Sequence, residues 1–143
     1  MLSVRIRRLS PSVALPRYES AAAAAFDLAA SADTTIPPGA VVLVPTGLVI
    51  EVPPGMFLAV IARSSTPLRR GLMLANGVGV VDPDYCGPTD EVKLPMLNFT
   101  PAPVVVKAGD RIAQGVVLPA PRVVWEETGT VSKESRGGFG STG

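Results

Sequence analysis

Short valine-, alanine- and leucine-rich runs, broken every few residues by proline or glycine, set the pattern of this chain. Val4 to Leu9 alternates, with Val4 and Ile6 opposed to Arg5 and Arg7, and predicts a strand with one wet face. Further strands are predicted over residues 40–44, 48–52, 56–62, 91–99 and 111–118. Pro37-Pro38-Gly39 and Pro53-Pro54-Gly55 are turns, and their similar settings predict paired hairpins. Pro95 predicts an edge position or a bulge for its strand. Lys107-Ala108-Gly109-Asp110 predicts a type I turn. Ala21 to Ala25 has helical propensity but is too short to hold a helix alone. Only Arg63 to Gly71 carries a helix signature, with serines at the start, Pro67 in the first turn, arginines near the end and glycine after it.

The elements therefore predict an all-β domain with one short helix. Composition agrees: 14 glycines and 15 prolines make about a fifth of the 143 residues, against roughly 12% in an average protein. The length suits one domain, and a 47% hydrophobic content excludes a disordered chain. Residues 1–125 form the predicted domain. From Glu126 the chain turns polar and then glycine-rich, so residues 126–143 are predicted to be a flexible arm.

Charge and residue types narrow the chemistry. A formal net charge of +1 predicts no general attraction to nucleic acid or to an anionic membrane, so an anion site must rest on a local group of arginines. Cys86 is the only cysteine, which excludes an intrachain disulfide and a cysteine zinc cluster. Histidine is absent, so general-base work falls to carboxylates. With no signal-peptide core and no apolar run of membrane-spanning length, the expected location is the cytoplasm.

Five stretches hold candidate chemistry. In Ala24-Ala25-Phe26-Asp27-Leu28, a lone acid interrupts an apolar run. Arg63-Ser64-Ser65 opens the helix, where free N–H groups, hydroxyls and a guanidinium suit a phosphate. Asn76 to Gly87 is a strand that carries Asp82 to its end, with Tyr85 beyond and Gly77 and Gly79 allowing close approach to the backbone. Arg111 and Gln114 are polar positions inside an apolar strand and either cap the preceding turn or line a site. The tail Arg136-Gly137-Gly138-Phe139-Gly140-Ser141-Thr142-Gly143 offers backbone N–H groups, one ring and two hydroxyls that can order over an anion.

In this order and together, the five stretches resemble the motifs of the trimeric deoxyuridine triphosphatase (dUTPase) family. The resemblance implies a jelly-roll-like β-barrel subunit. It also implies a homotrimer whose active sites are shared between subunits, and Mg2+-assisted hydrolysis of dUTP to dUMP and pyrophosphate. Such a reaction keeps uracil out of DNA and supplies dUMP for thymidylate synthesis.

The same resemblance assigns roles residue by residue. Asp82 would activate the water that attacks the α-phosphorus, and Gln114 would help to hold it. Arg63, Ser64, Ser65 and Arg111 would bind or support the phosphates. Asp27 would act on the metal through water. Asn76 and the backbone around Gly79 would read uracil, and Tyr85 would pack on the deoxyribose. Phe139 would stack on the base, while Arg136 (or Lys133), Gly140, Ser141 and Thr142 would close over the phosphates.

The chain departs from the usual pattern in having Ala25 for a glycine, a longer stretch over 86–91, and Arg136 closer to Gly137-Gly138-Phe139. Two rival readings share the fold: a dCTP deaminase and a catalytically idle nucleotide-binding trimer. The first needs a strand carboxylate, and residues 92–99 contain none.

Overall fold

The computed structural model describes residues 2–140. These residues form eleven strands and one helix, in a jelly-roll-like stack of antiparallel sheets. The largest sheet has the order β2 (Phe26–Ala29), β11 (Arg111–Pro119), β6 (Met56–Ala62), β8 (Val78–Val81). A second sheet runs β4 (Val41–Pro45), β9 (Lys93–Asn98), β7 (Leu72–Leu74). Two-stranded pairs complete the fold: β1 (Arg5–Arg8) with β5 (Leu48–Glu51), and β3 (Thr34–Ile36) with β10 (Val104–Val106).

Alternating side chains of these sheets meet in one core. Leu28, Ile36, Leu58, Leu72, Leu94, Met96 and Ile112 are fully buried there. Asn98 is buried among them with its amide satisfied. It donates to the carbonyls of Ile36 and Ala102 and accepts from the Thr100 N–H and hydroxyl, which pins β9 to β3.

The local turns form as type II turns that change sheet rather than as hairpins. Pro37 and Pro53 each accept a hydrogen bond from the residue three further on, and Gly39 and Gly55 take φ of 68° and 77°. Yet β3 pairs with β10 and β4 with β9, while β5 pairs with β1 and β6 with β11 and β8. The expected hairpins are therefore corrected. A Pro-Pro-Gly corner sets the local bend, but the partner of each flanking strand lies far away in sequence. The turn at 107–110 is likewise type II, because Gly109 sits third with φ of 89°.

Pro95 is not on an edge either, since β9 lies between β4 and β7. The Pro95 carbonyl faces the β7 side, where it accepts from the Ala75 N–H at 2.8 Å. In a strand the N–H and C=O of one residue point the same way, so the donor that Pro95 lacks faces the end of β7 and costs β4 nothing.

Phe26, Gly115 and Val60 lie side by side on the inner face of the large sheet. A Cβ on Gly115 would lie 2.6 Å from the Phe26 ring and 2.9 Å from Leu58. Gly115→Ala is expected to lower unfolding free energy by about 1–3 kcal/mol through overpacking, read as a shifted denaturant midpoint at constant slope. An unchanged midpoint would show that Phe26 moves aside freely.

Candidate active site

A β-bulge organises the first group of polar side chains. Arg111 and Gln114 are three residues apart, so a regular strand would send them to opposite faces. The register of β11 against β2 shifts between Arg111 and Ala113, pairing Arg111 with Ala29 and Gln114 with Asp27. The extra residue buries Ile112 and Ala113 in succession and leaves Arg111 and Gln114 on the face that carries Asp27.

Asp27 is the hub of that face. Its Oδ1 lies 3.0 Å from Arg63 Nε and its Oδ2 3.1 Å from Arg111 Nη1, with the side chain only 11% exposed. Arg63 also donates to the Arg111 carbonyl at 3.0 Å. The buried Asp27 Oδ2 meets no hydrogen-bond geometry and is held by its ion pair with Arg111. Gln114 donates to the Ala62 carbonyl at 3.3 Å, at the entrance to the helix.

The helix α1 (Ser65–Arg70) follows directly. Ser64 is its N-cap but makes no side-chain capping bond, contrary to the ordinary role of a serine there. Thr66 ties the helix down instead, its buried hydroxyl donating to the Ile112 carbonyl at 2.8 Å. The exposed Ser64 hydroxyl is thereby left available beside Arg63.

Two further ion pairs flank these groups, and sequence reading did not reveal either pairing. Glu19 binds Arg111 Nη1 at 2.6 Å. Hydrogen bonding and attraction from Arg111 hold the Glu19 carboxyl below its usual range, and Glu19 first, then Asp27, raises Arg111. Arg70 binds Asp110 at 2.6 Å and holds it low against the opposing effect of burial, with the Lys107 N–H assisting. These pairs span 40 residues or more of chain, which is why local patterning did not reveal them.

The second group lies elsewhere. Asn76, Gly79, Asp82, Tyr85, Glu91 and Lys93 line a cleft of about 460 Å³ between β8 and β9. Gly79 pairs with Val60 on the inner face of the sheet, and a Cβ there would lie 3.2 Å from Val60 and 3.6 Å from the Asn76 amide. Its absence keeps the floor of the cleft open. Asp82 is exposed at the end of β8 and makes no ion pair among the described residues. Its carbonyl accepts from the Tyr85 N–H at 3.2 Å, a turn that sets the ring beside the carboxylate. Tyr85 in turn donates to the Glu91 carbonyl at 3.1 Å.

The two groups do not meet within one chain. Val81 pairs with Leu58, so Asp82 lies level with Phe57 near the start of β6, whereas Arg63 follows its other end. Six residues at about 3.3 Å each separate them by about 20 Å along the strand. Asp27 and Gln114 also lie on the face opposite to Gly79, as the shared register requires.

Arg136, Phe139 and Gly140 lie beyond β11, in a segment over 121–140 that is exposed throughout. Phe139 is fully exposed, with φ of 52°. Ser141 and Thr142 lie outside the described residues.

The chain thus falls in the class of almost all-β subunits that carry an arginine-carboxylate face and, apart from it, a separate cleft. The comparisons name the family within that class. The dUTPase family model matches residues 12–143. The deoxyuridine 5′-triphosphate nucleotidohydrolase of Thermobifida fusca is 42% identical over 143 residues, covering 98% of this chain and 78% of the relative. The enzyme of that name from Wolinella succinogenes is 38% identical over 144 residues, covering 99% and 95%. The crystal structure of dUTPase from Streptococcus mutans superposes with a TM-score of 0.79 at 36% identity, covering 87% of this chain and all of that one. The chain belongs to the dUTPase family. Among the described residues no helix is long and apolar enough to cross a membrane.

Proposed function

We infer that the chain hydrolyses dUTP to dUMP and pyrophosphate at a site assembled between subunits of a homotrimer. It is a hydrolase of a nucleoside triphosphate, as its family membership requires. The observation that carries the reading of the site is the cleft that brings Asn76, Gly79, Asp82 and Tyr85 together. Backbone groups beside Gly79 pair with the uracil edge. Cytosine, with donor and acceptor exchanged, leaves buried partners unpaired and is rejected. Tyr85 stands against the deoxyribose where a 2′-hydroxyl would need room. Asp82 orients a water for in-line attack on the α-phosphorus and takes its proton as pyrophosphate leaves.

The phosphate side comes from the other face, contributed by another subunit. Arg63 and Arg111 are held by Asp27 at 3.0 and 3.1 Å, so their guanidinium groups are placed before substrate arrives. Ser64 and Ser65 offer hydroxyls at the helix entrance, and Gln114 holds the attacking water. The 20 Å gap between the two groups closes only when two copies meet. Exposed Val41 and Leu43 on β4 and Val124 and Trp125 after β11 give apolar surface for such contacts. The arm of a third copy brings Arg136 (or Lys133), Phe139, Gly140, Ser141 and Thr142 over the bound nucleotide.

Among the described residues no three of His, Cys, Asp and Glu converge as a metal cage. Asp27 Oδ2, ion-paired with Arg111 but without a hydrogen bond, can still accept from a water, so these residues fit Mg2+ carried chiefly by triphosphate oxygens and its own hydration shell. When bound, the ion neutralises phosphate charge. Cys86 has no second cysteine in the chain to pair with, which suits a reducing compartment, and we place the reaction in the cytoplasm.

The test is incubation with dUTP, dCTP, dTTP and UTP, following pyrophosphate and ammonia. Pyrophosphate from dUTP alone is expected, with turnover lost in chelator and restored by Mg2+. Because the described residues form no carboxylate cage for the ion, chelation is expected to leave the melting temperature unchanged. Ammonia from dCTP, or dUTP binding without product, would overturn the assignment.

A further inference from the structure

Sugar selection depends on where the Tyr85 ring stands, and the structure shows what holds it. The Tyr85 hydroxyl donates to the Glu91 carbonyl at 3.1 Å. The Glu91 carboxylate, only 14% exposed, accepts from the Gly47 N–H at 2.7 Å, and Lys93 Nζ stands 3.9 Å away. Gly47 lies at the break between β4 and β5, so this carboxylate fastens the end of the 86–91 loop to a rigid corner of the core. The loop is closed from within by Asp90, whose Oδ2 accepts from the Gly87 N–H at 2.7 Å. A carboxylate held this far from water needs such a donor, and a backbone N–H on a buried residue supplies it at a fixed place.

We propose that Glu91 is a positioning residue for sugar discrimination: its carboxylate locks the loop to Gly47, and its carbonyl thereby fixes the Tyr85 ring against the 2′ position. This rests on the reading of Tyr85 as the deoxyribose wall. A wall rejects a hydroxyl only as strongly as it resists displacement. Tyr85 is 42% exposed and its ring has one hydrogen bond at its tip, so the clamp at that tip sets its stiffness.

The experiment measures kcat and KM for dUTP and UTP on the assembled full-length protein. Glu91→Ala is expected to lower the dUTP-over-UTP ratio of kcat/KM about tenfold, with kcat for dUTP changed less than about threefold. Glu91→Gln, whose amide oxygen accepts the same N–H, restores the ratio. Tyr85→Phe, which removes the clamped hydroxyl, gives the same fall, and adding Glu91→Ala to it gives no further fall. Should Glu91→Ala fail to fold, Glu91→Asp, one methylene too short for Gly47, carries the same expectation.

An unchanged ratio in the Glu91 variants, an equal loss for both sugars, or additive effects of Tyr85→Phe and Glu91→Ala would overturn the proposal. Tyr85→Ala separates the two levels of the inference. If that variant keeps full discrimination, the reading of Tyr85 as the sugar wall fails; if it loses discrimination while Glu91→Ala does not, only the role of Glu91 fails.

Discussion

Asp82→Asn is expected to lower kcat for dUTP by about a thousandfold, the range typical of a lost general base. Asparagine keeps the shape of the side chain and can still orient a water, but it cannot take the proton. Asp82 is exposed and makes no ion pair among the described residues, and its turn to Tyr85 uses the backbone carbonyl. Neither the fold nor the cleft should therefore change. Binding of a non-hydrolysable dUTP analogue, measured by calorimetry, is expected to stay within about threefold of wild type, because Asp82 acts on the attacking water and not on the base or sugar. A turnover within tenfold of wild type would remove Asp82 from this role. A large loss of analogue affinity would make it a binding residue instead.

Removing residues 136–143 is expected to lower kcat/KM by about a hundredfold. Stacking of the Phe139 ring contributes about 1 kcal/mol and the phosphate contacts of the arm about 1.5–3 kcal/mol. The melting temperature and the oligomeric state are expected to be unchanged, since Arg136 to Gly140 are exposed and the last strand ends at Pro119. Phe139→Ala alone should cost about fivefold, which separates the ring from the rest of the arm. A fall in melting temperature on deletion would show that the arm packs as part of the domain.

Much of the local structure was legible from the residues. The strand over 56–62 has the predicted bounds, and the short helix ends on a left-handed Gly71 with φ of 63°. These follow from periodicity and turn chemistry, which act over a few residues. The hairpins failed for the same reason. Pro-Pro-Gly dictates a bend but contains no information about which strand will bond to the next one. Pro95 misled because a missing donor matters only if a neighbouring strand faces it, and that depends on where β7 ends.

The candidate residues were legible for a different reason. Five short motifs in one order pointed to the family, and the family model matches residues 12–143. What the motifs did not contain was the wiring. Glu19 stands beside Arg111, Glu91 beside Gly47, and Thr66 beneath Ile112, and each pair is joined across more than 40 positions. The bulge at Arg111–Ala113 is also invisible locally, because it is a property of the register with β2.

By itself, then, the chain's sequence determined an all-β domain, its bends, its helix and the identities of the chemical groups, because all of these depend on side-chain type and near-neighbour spacing. Only the tertiary structure decided which strands pair and which face each group takes. Only it showed that Arg63 and Asp82 lie at opposite ends of β6. Hydrogen-bond register joins residues far apart in the chain, and a shift of one residue sends a side chain to the other face.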